Sequence, residues 1–334
     1  MPERSEAVAT EGVLLPRLRR PGWRRAIETR EASIVAVLLV LGTVLSIAYP
    51  QFRTLDNVNN ILLAVAQVAI VGVGMTMVIV TGGIDVSVGS ALAVCAVVVG
   101  QQVQDGAGVP GAIAVGVAVG TAIGLVNGLL IAFGRVHSII ITFGMLNILR
   151  VVSFKVTGGR WLSGLPDTLG YFGSGRLAGL PFAWWIAMAL AAVATYYLRC
   201  RPTGRHLYAL GGNAETARLA GVSVLKRTIF VYTITGTLVG VASIVFVGGT
   251  GVVQTNVGVG FELDVIAAVV IGGTSILGGK GTVIGTLLGA LLVGTIRNAL
   301  VIVNLSALYT GLILGALILA TVALDLLRRR RVEQ

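Results

Sequence analysis

Apolar stretches close to the length of a bilayer crossing recur ten times along a chain in which only 12% of residues are charged. A hydrocarbon core about 30 Å thick takes roughly 20 helical residues to span, and a soluble domain carries about 25% charged residues. The expected fold is therefore all-α, a polytopic transmembrane helix bundle. The stretches fall near 33–49, 58–80, 86–104, 111–133, 138–157, 182–198, 229–248, 262–277, 281–303 and 307–326. The one at 138–157 carries Arg150 and Lys155, so it is expected to lie partly against other helices or to end early. Glycine, at 46 residues, suits a bundle whose helices approach closely or break where a pathway needs irregular backbone.

Ten crossings put both termini on one side, and the basic residues test that arrangement. With the N-terminus inside, 19 of the 25 Lys and Arg fall in cytoplasmic segments. They lie in the tail at 1–32, at Arg135, in the loop 199–228, at Lys280 and in the final Arg328–Arg331 run. This is the bias that orients helical membrane proteins. An odd number of spans would put the last arginines outside. The layout expected is a basic, disordered N-terminal tail at 1–32, a transmembrane domain at 33–327 with a structured cytoplasmic loop at 199–228, and a short tail at 328–334. Ser46-Ile47-Ala48 imitates a cleavage site, but the basic segment ahead of it is too long for a signal peptide and many spans follow.

A net charge of +11 does not point to nucleic acid, because the cations sit in short loops and tails. Cys95 and Cys200 have no neighbours at metal-ligand spacing, so neither a disulfide nor a metal site is expected. The only histidines are His137 and His206, and no His-Glu-x-x-His occurs. The glycine-rich end of the eighth stretch resembles a phosphate loop, but Lys280 is followed by Gly281 rather than Ser or Thr. No catalytic residue, cofactor or ATP site is expected in this chain.

Three segments carry the chemistry. In Thr81-Gly82-Gly83-Ile84-Asp85-Val86-Ser87, a carboxylate stands between two spans with no basic neighbour. Asp85 either caps the next helix at the interface or belongs to a re-entrant turn beside a transport route, and Gly82 and Gly83 give the backbone freedom to turn there. A faint internal echo relates Val78-Ile79 and Gly82-Gly83 to Val270-Ile271 and Gly272-Gly273, as duplicated halves would. The cytoplasmic segment Gly211-Gly212-Asn213-Ala214-Glu215-Thr216-Ala217-Arg218-Leu219-Ala220-Gly221 reads as a short helix capped by Asn213 and stopped by Gly221. Glu215 and Arg218 are placed to pair on its exposed face. It is either an ordinary loop helix on the membrane surface or a knob that docks into a partner's groove. The third segment runs from Glu262 and Asp264, at the expected outer start of a span, to Thr274 and Ser275.

Together these segments resemble the permease family of ribose-type ABC importers. The resemblance rests on Gly74 through Ser90, on Thr157-Gly158-Gly159-Arg160 with Ser163-Gly164-Leu165-Pro166, on Gly204 through Gly221, and on Ile266 through Ser275. It covers about residues 33–326. It implies a two-permease core, made with a second copy or a homologue, two ATPase subunits on the cytoplasmic face, and a periplasmic or lipid-anchored solute-binding protein. It implies that Asn213 to Gly221 contains the helix that couples to the ATPase, and that the solute is ribose, rhamnose, another pentose or hexose, or autoinducer 2. Related permeases carry branched-chain amino acids. The chain departs from the family pattern at Val136-His137-Ser138 and at Leu305 to Tyr309, where prolines are common.

The mechanism this implies is alternating access in a bacterial inner membrane. The passage is expected to be lined by Gly, Ser, Thr and Asn rather than by charges, with Gly82, Gly83, Asp85, Ser87, Asn127, Asn147 and Thr274 as candidates. Asn127, Asn147 and Thr274 serve equally well as interhelical hydrogen-bonding groups. An ion-coupled secondary transporter would need carboxylates at mid-membrane. Asp85, Glu262 and Asp264 all fall near expected span ends, which disfavours it, and a membrane scaffold without transport is the remaining class.

Overall fold

This computed structural model describes residues 30–134, 136–305 and 308–330. Most of the N-terminal tail, Arg135, Ser306, Ala307 and the last four residues lie outside the described residues. The chain is a helical bundle of α1 (Arg30–Ala48), α2 (Leu55–Val80), α3 (Val88–Gln104), α4 (Val109–Gly134), α5 (Ser138–Thr157), α6 (Asp167–Ser174), α7 (Phe182–Cys200), α8 (Pro202–Gly212), α9 (Ala214–Leu219), α10 (Val224–Thr250), α11 (Phe261–Ile271), α12 (Val283–Ile302) and α13 (Leu308–Arg330). A two-residue hairpin, β1 (Arg176–Leu177) with β2 (Leu180–Pro181), sits between α6 and α7, with Leu177 opposite Leu180.

A helix stands at each of the ten apolar stretches. Among the described residues, seven are long and apolar enough to cross a membrane: α1, α2, α4, α5, α7, α10 and α12. The protein is a multi-pass membrane protein. Of the remaining three stretches, α3 has 17 residues and α11 only 11, whereas α13 has 23. The expected span at 262–277 is thus corrected: its helix stops at Ile271, and Gly272 to Thr282 is turn and extended chain. The stretch at 138–157, in contrast, is one unbroken helix.

The centre of the bundle is α2, buried along most of its length and packed against α7, α10, α11 and α12. Side-chain caps start several helices. Thr54 Oγ1 accepts from Asn57 N, Thr282 Oγ1 from Gly285 N, and Asn213 Oδ1 from Thr216 N, each satisfying a backbone donor that the first helical turn leaves free. Polar pairs cross between helices in the interior. The amides of Asn57 and Asn298 exchange hydrogen bonds of 3.1 and 2.7 Å, and the hydroxyls of Thr76 and Thr286 meet at 2.6 Å.

The tightest helix pair is α4 with α10, and its cause is legible in the sequence. Gly116, Gly120, Gly124 and Gly128 recur every four residues and so share one face of α4. That face meets Gly236 and Gly240 of α10 backbone against backbone. A Cβ on Gly120 would collide with the carbonyl oxygen of Gly236 and come within 2.8 Å of Gly240 N. Small residues at a fixed spacing let membrane helices approach in this way. Gly120→Val is expected to cost about 3 kcal/mol, at the upper end for overpacking a filled contact, read as a lowered melting temperature in detergent.

Candidate functional site

The sequence-predicted residues fall into two places, and a third place was missed. The first lies at one end of the bundle, where three glycine-bearing segments meet. α2 ends with Gly82 at φ 85°, and Gly83 N donates to Val78 O at 3.1 Å. α11 ends in the same way, with Gly273 at φ 96° and Thr274 N donating to Val269 O at 3.2 Å. Both are left-handed helix stops that satisfy the last carbonyls. The internal echo is real at the level of backbone geometry, but Gly82 corresponds to Gly273, not to Gly272, so the expected alignment is corrected by one residue. The turn that follows the second stop touches the end of α2: Gly279 N donates to Val80 O at 2.9 Å.

α8 sits directly on this junction. A Cβ on Gly211 would strike the Val80 carbonyl oxygen and come within 2.6 Å of Gly279 N, and Tyr208 donates to Gly281 O at 3.0 Å. α9 follows at once and projects outward. Gly212, Asn213, Ala214, Glu215, Arg218, Ala220 and Gly221 are exposed, whereas Ala217 is buried and seats the helix. Arg218 Nε and Nη2 donate to the Glu215 carboxylate at 3.0 and 2.6 Å. That two-pronged contact holds the Glu215 carboxyl below its usual range, so it stays ionised at neutral pH. Leu219, which sequence reading passed over, is 76% exposed beside the ion pair.

The second place is the interior behind the α2 stop. Asp85 is buried, accepting from Ser87 N at 2.9 Å and from Ser87 Oγ at 2.6 Å. Asn127 of α4 donates to Ser87 Oγ at 2.8 Å. Ser138 and Thr142 on the first turns of α5 are hydrogen-bonded to Ile84 N and Val86 N at 3.0 and 3.2 Å. The start of α5 at Val136-His137-Ser138 thus serves to fasten the 81–87 turn. Asp85 thus braces the 81–87 turn from within, and a Cβ on Gly83 of that turn would meet the Tyr232 hydroxyl. Asn147 does not join the cluster. It is exposed on α5 and donates to Phe143 O of its own helix at 2.8 Å. Thr274 is buried near Gly281 at the junction.

The third place lies toward the other end. The segment 251–260 is non-helical and pairs with Leu162 through Val253, at 3.0 and 2.9 Å, beside Gly100 of α3. By Gly258 it lies against Gly89 of the same helix. Eleven residues of helix separate those two glycines, so the segment descends about 16 Å at 1.5 Å per residue. Arg150 explains the charge in α5, since its Nη1 donates to Val257 O at 2.6 Å and it senses the negative charge of Glu262. α11 therefore begins deep. The expectation that Glu262 and Asp264 mark an outer span end is overturned: Asp264 is 1% exposed and paired with Arg297 of α12 at 2.6 Å. The first turn of α11 suits these acids, because free N–H groups favour negative charge there. Two cavities flank the pair, of about 520 Å³ toward α13 and about 390 Å³ toward α10. Among the described residues, no group of acidic, His and Cys side chains has metal-binding geometry.

Comparison with known proteins places this architecture in a family. Residues 57–322 match the family model described as the permease component of branched-chain amino acid transport systems. The chain is 41% identical over 303 residues to the ribose import permease protein RbsC of Escherichia coli, covering 88% of this chain and 93% of that protein. It is 38% identical over 291 residues to RbsC of Bacillus subtilis, with 86% and 90% covered. It is 34% identical over 305 residues to the autoinducer 2 import system permease protein LsrC of Yersinia pseudotuberculosis, with 91% and 87% covered. No solved structure matches. The chain belongs to this permease family and is a transport component, which removes the ion-coupled transporter and the scaffold as readings.

Proposed function

We propose that this chain is the membrane permease of an ABC importer that brings a monosaccharide or sugar-like solute, of the ribose, rhamnose or autoinducer 2 kind, into the cytoplasm by alternating access. It crosses the bacterial inner membrane ten times with both termini cytoplasmic. The tails are 1–32 and 328–334, and the permease domain is 33–327. ATP is hydrolysed by two partner subunits, solute is delivered by a periplasmic or lipid-anchored binding protein, and a second permease copy or a homologue completes the core. The chain itself carries no cofactor.

The observation that carries this reading is α9, exposed on the loop 199–228 and joined to α8, whose Gly211 sits on the end of α2 and on the turn at Gly279 that follows α11. A short helix with an exposed leucine beside a fixed ion pair suits a groove on a partner. A push on it reaches both glycine junctions directly, and from Gly82–Gly83 it reaches the Asp85–Ser87–Asn127 cluster. The experiment is co-purification of the permease with the ATPase encoded beside it. Leu219→Asp and the exchange Glu215→Arg with Arg218→Glu should each weaken capture at least 10-fold, the exchange keeping the local ion pair but reversing the charges offered to the partner. Capture unchanged in both would remove the docking role.

A further inference from the structure

The 390 Å³ cavity has no part in ATPase coupling, yet it is within the size range of small-molecule sites. It runs from the 251–260 segment to Gln67, which is 12 residues into the 26-residue α2 and hence near its midpoint. Gln254 and Asn256 line it from the loop, Phe246 and Phe261 supply aromatic faces, and the Asp264–Arg297 pair closes one wall. Asp264 Oδ2 is held by Arg297, whereas its Oδ1, buried at the same wall, has no partner among the described residues. An unpaired buried acceptor costs about 1–3 kcal/mol.

We infer that this cavity is a resting site for solute midway through the membrane, and that it takes a neutral polyhydroxylated ring. Each of the three amides offers both a donor and acceptors, which matches vicinal hydroxyls that themselves donate and accept. The apolar C–H face of a sugar ring suits the phenylalanines. An ionic solute finds no free counter-charge, because Asp264 and Arg297 neutralise each other at 2.6 Å. A zwitterionic amino acid would have to break that pair. The inference rests on the importer reading and names its intramembrane specificity site.

The test uses the full importer, with its ATPase and binding protein, in proteoliposomes offered labelled D-ribose, D-xylose, L-rhamnose, D-glucose or leucine. Labelled autoinducer 2 is offered alongside and counted with the sugars, and the native chain should import one member of this set. Gln254→Leu and Asn256→Leu should each lower that uptake at least 10-fold while still co-purifying with the partners. Should either fail to assemble, the isosteric Gln254→Glu or Asn256→Asp is judged by the same criterion. Sugar uptake within twofold of native in the variants would overturn the cavity assignment and leave the importer reading standing. If the native complex moves no sugar of the set, or leucine alone, the sugar-importer reading has failed and the cavity assignment falls with it.

Discussion

Arg297→Ala will destabilise the protein by about 3 kcal/mol, and Asp264→Asn will cost less than half as much. The asymmetry follows from where each partner sits. The Asp264 side chain is 2% exposed and that of Arg297 is 46% exposed. Removing the arginine leaves a carboxylate buried without a counter-charge, and breaking a buried pair from that side costs about 3–5 kcal/mol. The lower end applies because the lost cation was already partly open, which weakens its attraction. Removing the carboxylate's charge leaves a guanidinium that can turn into the adjoining cavities and keep an amide as acceptor. Melting temperatures in detergent for the two single variants and for Arg297→Met with Asp264→Leu measure this. The double apolar variant should be more stable than Arg297→Ala, since the uncompensated charge is gone. Equal losses in the two single variants would show that the pair is not buried in the way its geometry states.

Gly211→Val is expected to separate ATP hydrolysis from transport. No side chain fits between α8 and the Val80 carbonyl, so a Cβ must lift α8 from the stop of α2, from Gly279, or from both. Backbone on both sides cannot yield as a flexible side chain would, and overpacking of this kind costs about 1–3 kcal/mol. The contact lies outside the exposed face of α9, so capture of the ATPase should persist. Solute uptake should fall at least 10-fold. Tyr208→Phe, which removes only the 3.0 Å bond to Gly281 O, should give a partial loss. Full uptake in Gly211→Val would mean that motion reaches the membrane helices by another route.

Much of the fold was legible because membrane solvation writes helices into sequence in long, uncharged runs. All ten stretches became helices, including the one interrupted by Arg150 and Lys155. The short helix at 214–219 was readable from Asn213 as its cap and from the Glu215–Arg218 spacing. Depth was not readable. Hydropathy takes each apolar run as a full crossing, and Asp264 looked terminal because it opens such a run. What draws it inward is the descent of 251–260, held by Arg150 from a helix more than 100 residues away in sequence. The same blindness to long-range partners hid Gln67, Gln254, Asn256 and Arg297 as one lining. It also promoted Asn147, whose amide serves only its own helix. The four-residue glycine spacing of α4 was a signal present in the sequence and not used. Asn127, chosen on residue type alone, does sit in the Asp85 cluster, because its face of α4 is turned toward the 81–87 turn by the neighbouring glycine contact at Gly128.

The meeting of Gly258 with Gly89 at the foot of the 251–260 segment bears on electrical insulation. A bacterial membrane stores energy as voltage, worth about 2.3 kcal/mol for each charge moved through 100 mV. Once water fills a vestibule to the level of Gln67, the voltage no longer falls evenly over the roughly 30 Å of hydrocarbon. It falls across about half that thickness, and the local field is about doubled there. Two glycines in direct backbone contact leave no room for water between α3 and the foot of that segment, so the strengthened field meets a closed seam there.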